Sequence, residues 1–277
     1  DLITADKLRT LIIALVKTGE SICLQGGLGT GKTTTMNVMY ELLDDLLHIG
    51  TIEDYFEQHI MEKYPYKRIV EGQAVNGKDL LDVVKTLLRM SVDVANIGEV
   101  RDGNALFAFI QLVQSVSVAA WFTTHITNPE TTVPRLKNML IGTGRYFSEQ
   151  SAIMDIVHYI NMIFQHEIID GRITITKVVE IVPLVAVSSD GEYDIETPRE
   201  QLEKLFYIQQ LRSNPYNMFR LNTIMQSVDG RAKFVNYPSR RMVEKAKGDR
   251  QSWEYLKNLI RLIEMDTGMA IPEYARG

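Results

Sequence analysis

A single cysteine, Cys23, stands in 277 residues. One thiol can build neither an intrachain disulfide nor a cysteine-rich metal site, and a reducing compartment is the expectation. No apolar run approaches the roughly 20 residues that a bilayer-spanning helix needs, and no leader-like segment opens the sequence. Basic residues do not dominate: 30 Lys and Arg face 35 Asp and Glu, a net charge of −5. That argues against wrapping nucleic acid over a broad face, although a local basic groove stays open. Internal repeats and low-complexity segments are absent. So is an initiator methionine; the chain begins at Asp1, as expected of a piece of something longer.

What is present is a soluble-protein composition, 45% hydrophobic and 23% charged, with length for one large α/β domain and an appendage. Its most informative stretch is Gly26-Gly27-Leu28-Gly29-Thr30-Gly31-Lys32-Thr33, which fits GxxxxGK[ST]. The glycines let the backbone turn tightly and aim N–H groups at phosphate oxygens. Lys32 reaches β- and γ-phosphates as a point charge, and the Thr33 hydroxyl suits Mg²⁺. An apolar run, Ser21 to Gln25, precedes the loop. After it Met36, Met39, Tyr40, Leu43 and Leu47 recur at helical spacing. Strand, loop and helix are the context this motif requires, with the helix N-terminus turned to the anion. Gly26, Gly27, Leu28, Gly29, Thr30, Gly31, Lys32, Thr33 and Thr34 are therefore the expected nucleotide-binding set.

The remaining chain alternates between the two periods. Leu8, Leu11, Ile12, Leu15 and Val16 predict a helix before the loop, and residues 48–52 a second strand. Residues 57–77, polar and carrying Pro65, read as an irregular excursion. A helix around Leu80 to Leu88, a strand over 92–100, a helix around Ala105 to Val113 and a strand over 116–124 follow. Such alternation predicts an α/β fold with a mostly parallel sheet and helices on both faces. Beyond Pro134 the pattern changes. A helix is expected over 149–160, then a hairpin turning at Asp170-Gly171. A turn at 188–191, a charged helix over 197–213, strands around Asp229-Gly230 and helix over 240–265 complete the chain. The expected division is an ATPase-like core over 1–185 and a C-terminal α+β appendage over 186–277. The basic cluster Arg240, Arg241, Lys245, Lys247 and Arg250 reads as a helix face in solvent, with contact to DNA as its alternative.

Three further motifs end apolar strands. Gly98-Glu99-Val100-Arg101-Asp102-Gly103 puts a carboxylate where a neighbouring parallel strand would deliver it beside the glycine loop. Thr51-Ile52-Glu53-Asp54-Tyr55-Phe56-Glu57 carries three carboxylates after a short strand, and Thr123-Thr124-His125 sets an imidazole where it could sense a γ-phosphate.

In order and spacing, the run from Asp1 to about Pro183 resembles the ATPase domain of the type II/type IV secretion ATPase superfamily, in its CpaF/TadA-like branch. The segments that carry the likeness are residues 26–34, Thr51-Ile52-Glu53-Asp54, Leu88-Arg89-Met90, residues 98–103, Thr124-His125 with Asn128-Pro129, and Asn236-Tyr237-Pro238-Ser239. The resemblance implies a RecA-like P-loop fold. It makes residues 26–33 Walker A, Gly98-Glu99 the Walker B region, 51–57 the Asp box and 123–125 the second half of the His box. It implies ATP as substrate and Mg²⁺ held by Thr33 and Glu99. Glu99, Glu57, Lys32 and His125 are then the catalytic set, with the water-activating carboxylate left open between Glu57 and Glu99.

The resemblance further implies a homo-hexameric ring at the cytoplasmic face of the cell membrane and a membrane platform protein as partner; from the net charge and the basic cluster's reading as a helix face, no stable nucleic-acid binding is expected. Arginines would come from an N-terminal domain outside this chain or across an interface; Arg101 could face the site or a neighbour. The chain departs from the pattern at Ser115-Val116-Ser117, where the His box opens with a Thr-Gly-His-like triplet, at Gln150 and Ile153, and at Asn96 inside an otherwise apolar strand. Two other readings stay open: a ring scaffold that binds nucleotide with little hydrolysis, for which Ser117 speaks, and a P-loop kinase. A GTPase lacks support, because Asn76-Gly77-Lys78-Asp79 is not the base-reading Asn-Lys-x-Asp.

Overall fold

A computed structural model describes residues 2–74, 80–184 and 215–276. Among the described residues nine strands form one sheet in the order β3-β2-β4-β5-β1-β6-β7-β8-β9. They are β1 (Ile22–Gly26), β2 (His48–Glu53), β3 (Arg68–Gln73), β4 (Val94–Ile97), β5 (Ala119–Thr124), β6 (Met162–Ile169), β7 (Arg172–Pro183), β8 (Phe219–Val228) and β9 (Arg231–Phe234). From β3 to β6 neighbours pair in parallel, and from β6 to β9 they form an antiparallel meander. The helices are α1 (Leu2–Lys17), α2 (Lys32–Leu42), α3 (Ile60–Lys63), α4 (Leu80–Arg89), α5 (Gly103–Val113), α6 (Thr132–Gly142), α7 (Glu149–Tyr159), α8 (Arg240–Lys247) and α9 (Arg250–Thr267).

Alternation of side chains along the strands divides the interior into two cores. On one face Ile22, Leu24, Val94, Trp121 and Phe164 pack against α1, α2, α8 and α9, through Leu15, Met36, Tyr40, Val243 and Leu259. On the other, Cys23, Ala95, Ile97, Phe122 and Ile163 meet α4 to α7, through Leu87, Phe109, Leu136 and Ile153. β1 lies between β5 and β6 with both faces covered, which accounts for its unbroken burial.

The hairpin turns at Asp170-Gly171 and Asp229-Gly230 lie where expected. All four residues have φ between 49° and 75°, as a type I′ turn demands.

The expectations need four corrections. Residues 57–74 are not an irregular excursion: they hold α3 and β3, the edge strand among the described residues, while 75–77 lie outside the description. With one open side, β3 buries little and needs few apolar residues, so its sequence does not read as a strand. α6 went unpredicted because Pro134 lies in its first turn, where its missing N–H costs nothing. The strand expected over 92–100 is β4, of four residues only. Residues 219–234 do not stand apart as an appendage. They extend the sheet through β7, and α9 packs on α1 in the same core. The turn and charged helix expected over 188–213 lie outside the described residues.

Candidate functional site

The glycine loop leaves β1 at the centre of the sheet and enters α2. Gly26 has φ 150°, and a Cβ there would stand 2.3 Å from the His166 carbonyl oxygen on β6, so only glycine fits. Gly31, at φ 83°, caps α2 under Ile173. The loop braces itself: Thr30 Oγ1 donates to the Gly27 carbonyl (2.8 Å). Lys32 Nζ donates to the carbonyls of Gly26 (2.9 Å) and Gly27 (2.7 Å). Burial pushes the Lys32 ammonium below its ordinary range, partly offset by the charge of Glu99.

Beneath the loop lies His166. Its Nδ1 faces the carbonyls of Phe164 (3.1 Å) and Gln25 (3.3 Å), which only accept, so Nδ1 carries the proton. Nε2 then accepts from Thr35 Oγ1 in the first turn of α2 (2.9 Å). Burial, with a smaller contribution from the Lys32 charge, outweighs those two carbonyls and lowers this imidazole to about 4.

Glu99 follows β4. Arg101 donates to its Oε2 at 2.5 Å and also approaches Asp54 at 3.5 Å. His125 Nε2 is 2.8 Å from Oε1, but out of line for a hydrogen bond, so this buried oxygen has no aligned donor. Burial would raise the Glu99 carboxyl. The Arg101 hydrogen bond and the charges of His125, Arg101 and Lys32 outweigh it and hold the group below the usual range. Thr123 and Thr124 donate their hydroxyls to the carbonyls of Gly98 (2.6 Å) and Val100 (3.0 Å), fixing the turn that presents Glu99.

One open cleft of about 1080 Å³ at the C-terminal ends of these strands is lined by residues 28–34, Glu53, Asp54, Glu57, Glu99, Arg101 and His125. It therefore gathers Lys32, Thr33, Thr34, Glu57, Glu99 and His125, with Gly26 and Gly27 behind them. Two residues that the sequence did not single out also converge. Glu53, only 6% exposed, packs against Gly98, and burial raises its carboxyl despite hydrogen bonds from the loop. Arg135, exposed on α6, lines the rim. The acidic run flagged Glu53 as a carboxylate but not its inward direction. Nothing local marked Arg135.

Ser117 is not part of this site. It donates to Asp93 (2.8 Å) just before β5, whereas His125 follows the other end of that strand. Ile153 is a core residue of α7.

Four residues of the basic cluster, Arg240, Arg241, Lys245 and Lys247, make hydrogen bonds within the fold. Lys245 bonds the Gly19 carbonyl (2.7 Å) and Glu20 (3.1 Å), Lys247 the carbonyls of Tyr274 and Arg276, Arg241 that of His158, and Arg240 Glu244.

Among the described residues no three His, Cys, Asp or Glu side chains group closely enough to hold a metal unaided. Mg²⁺ requires no such cage; it takes one or two carboxylates, water and substrate phosphates. Glu99, with its unaligned buried oxygen, and Thr33, in the first turn of α2, offer oxygens of that kind to the cleft. The residues fit the ion.

A family model described as "Type II/IV secretion system protein" matches residues 3–182. Competence protein ComGA of Halalkalibacterium halodurans is 35% identical over 132 residues, covering 47% of this chain and 36% of that protein. Type IV secretion system protein PtlH of Bordetella pertussis is 27% identical over 128 residues, covering 45% and 38%. The VirB11 ATPase of the Brucella suis type IV secretion system, solved with sulphate, superposes with a TM-score of 0.51 at 20% identity. That match covers 59% of this chain and 48% of the other, and it establishes a shared fold. The chain spans 33% and 63% of the first two curated relatives it matches.

Proposed function

This chain belongs to the type II/IV secretion system protein family, and from that premise we propose that it is the ATP-hydrolysing core of a secretion or pilus-assembly motor. The observation that carries the reading is the convergence of Lys32, Glu99, Glu57 and His125 on one cleft over the glycine loop. ATP is the proposed substrate. Lys32 exchanges the carbonyls of Gly26 and Gly27 for β- and γ-phosphate oxygens, while loop and α2 N–H groups take the remaining phosphate charge. Thr33 and Glu99 would hold Mg²⁺, which supplies Lewis-acid neutralisation of the triphosphate.

Glu57 or Glu99 orients a water and takes its proton as the water oxygen bonds to the γ-phosphorus. The bond to the β–γ bridging oxygen breaks, leaving ADP and phosphate. His125, beside Glu99, contacts the reacting phosphoryl group. Arg101 holds Glu99 charged by donating to it.

The working assembly is a homo-hexameric ring docked on a membrane platform protein at the cytoplasmic face, without stable nucleic-acid binding. No described helix is long and apolar enough to cross a membrane, and in support of the absence of a nucleic-acid groove Arg240, Arg241, Lys245 and Lys247 each make intramolecular hydrogen bonds. The scaffold reading leaned on Ser117, which lies away from the cleft.

Phosphate release and product analysis test the proposal. Free phosphate that disappears in Glu99→Gln is expected. A phosphorylated acceptor, or release indifferent to Glu99→Gln and Lys32→Ala, overturns it.

A further inference from the structure

Asn96 is 0% exposed on β4, between Ala95 and Ile97. A buried amide is costly unless its hydrogen bonds are made. Asn96 Nδ2 donates to the Trp121 carbonyl (3.2 Å) and meets Met36 Sδ (2.6 Å). That orientation turns Oδ1 to the acidic loop, where it accepts from Gln58 Nε2 at 3.3 Å.

Gln58 is the one buried residue in the loop 54–59, at 2% exposure. Its N–H donates to Glu53 Oε2 (3.4 Å), and its carbonyl accepts from Lys63 Nζ (2.6 Å). Its Oε1 is buried without a protein partner among the described residues, while its side chain bonds Asn96 and also supports the Glu53 carboxylate.

The placement is specific. Gln58 directly follows Glu57, and Asn96 stands three residues before Glu99. Two apolar side chains could fill the same space without desolvating two amides. An amide pair adds a direction, and here that direction spans the interval between the two carboxylates.

We propose that Gln58 and Asn96 are positioning residues, a buried clasp fixing the loop that carries Glu57 against the strand that carries Glu99, a role resting on the hydrolytic reading above. The loop is anchored at its start by β2. Asp54, Tyr55, Phe56 and Glu57 are exposed, and beyond Gln58 the chain is held by the buried Ile60 and by the Ile60 and Met61 N–H groups on Glu71; Gln58 is the residue of this loop whose side chain reaches β4. Releasing the clasp lets Glu57 drift from the reacting geometry, while the glycine loop and Lys32, on β1 and α2, keep their hold on the triphosphate. Gln58 serves Glu53 as well, because its hydrogen bonds oppose the burial that raises that carboxyl.

The test uses the 277-residue chain with Asn96→Leu, Gln58→Met and their combination. Gln58→Met leaves β4 untouched and is the variant less exposed to misfolding. Each single change is expected to lower kcat by on the order of tenfold, since small misplacements of reacting groups cost this much or more. KM for Mg-ATP should stay within about twofold, as expected when only the reacting state is affected. The double variant should be no worse than the worse single, as for two members of one contact.

Amide exchange across residues 54–59 should accelerate in both singles while residues 26–33 keep wild-type protection. Wild-type exchange at 54–59 in both variants overturns the clasp whatever the phosphate assay gives, and so does an additive double variant. If the unsubstituted chain releases no more phosphate than Lys32→Ala, the hydrolytic reading fails instead, and the exchange data alone decide the clasp.

Discussion

Lys32 spends its ammonium on two carbonyls of its own loop, a geometry that a triphosphate can take over with stronger, charge-assisted bonds. Lys32→Ala is expected to weaken Mg-ATP binding by about tenfold to a hundredfold, the value of one charged hydrogen bond of about 1.5–3 kcal/mol. Titration calorimetry reads it, and unchanged affinity would remove the phosphate-binding assignment. Glu99→Gln keeps the shape of the side chain and loses its charge and basicity. Binding should persist while phosphate release falls by on the order of a hundredfold. Release at the wild-type rate would shift the role of base to Glu57. His125→Ala should lower single-turnover rate more than affinity, because the imidazole sits beside Glu99 at the reacting end of the cleft. A proportionate fall in melting temperature, rate and affinity would mark His125 as structural.

Between elements, the contact that shapes the loop is β6 against β1 and α2. The backbone of His166 leaves no room for a Cβ at Gly26, and its ring ties Thr35 into the first turn of α2. This buried imidazole gives stability a pH dependence with a definite sign. Its folded value is lowered from 6.5 to about 4, by burial first and by Lys32 second, so the unfolded chain binds the extra proton between those values. Stability is therefore complete above the unfolded value and falls as pH drops from about 6.5 toward 4. The contribution lost between pH 7.5 and pH 5 is on the order of 2 kcal/mol. Urea unfolding at the two pH values should show a loss of this size that His166→Gln largely abolishes. An equal loss in the variant would place the titration elsewhere.

At the scale of the molecule, the cleft offers Arg101 and Arg135, but Arg101 is already committed to Glu99 and Asp54. Charge developing on a transferring phosphoryl group gains strongly from an arginine supplied in cis or by a partner. If a neighbouring copy supplies it, the 277-residue chain binds Mg-ATP as a monomer and turns it over slowly. Specific activity should then climb with protein concentration as rings form, and mass photometry on the same samples identifies the species. Brisk turnover independent of concentration in a monomer would make the enzyme self-contained.

The sequence by itself determined what depends on neighbours along the chain. The glycine loop, its flanking strand and helix, and the two Asp-Gly hairpin turns are short-range backbone geometries, so residue type alone specifies them. The helix stripes of α1, α2 and α5 follow equally from spacing. Tertiary structure decided what depends on partners far away. β3 became a strand because β2 offered it hydrogen bonds, although Arg68 to Gln73 carry little hydrophobic signal. Residues 219–234 joined the sheet through β7, across 30 residues outside the description. Glu53 and Glu57 look alike in the acidic run, yet the turn after β2 buries the first and exposes the second. Asn96 read as a flaw in an apolar strand until Gln58, 38 residues earlier, supplied its partner. In each case the deciding term is burial or pairing set by packing, which no local window of sequence contains.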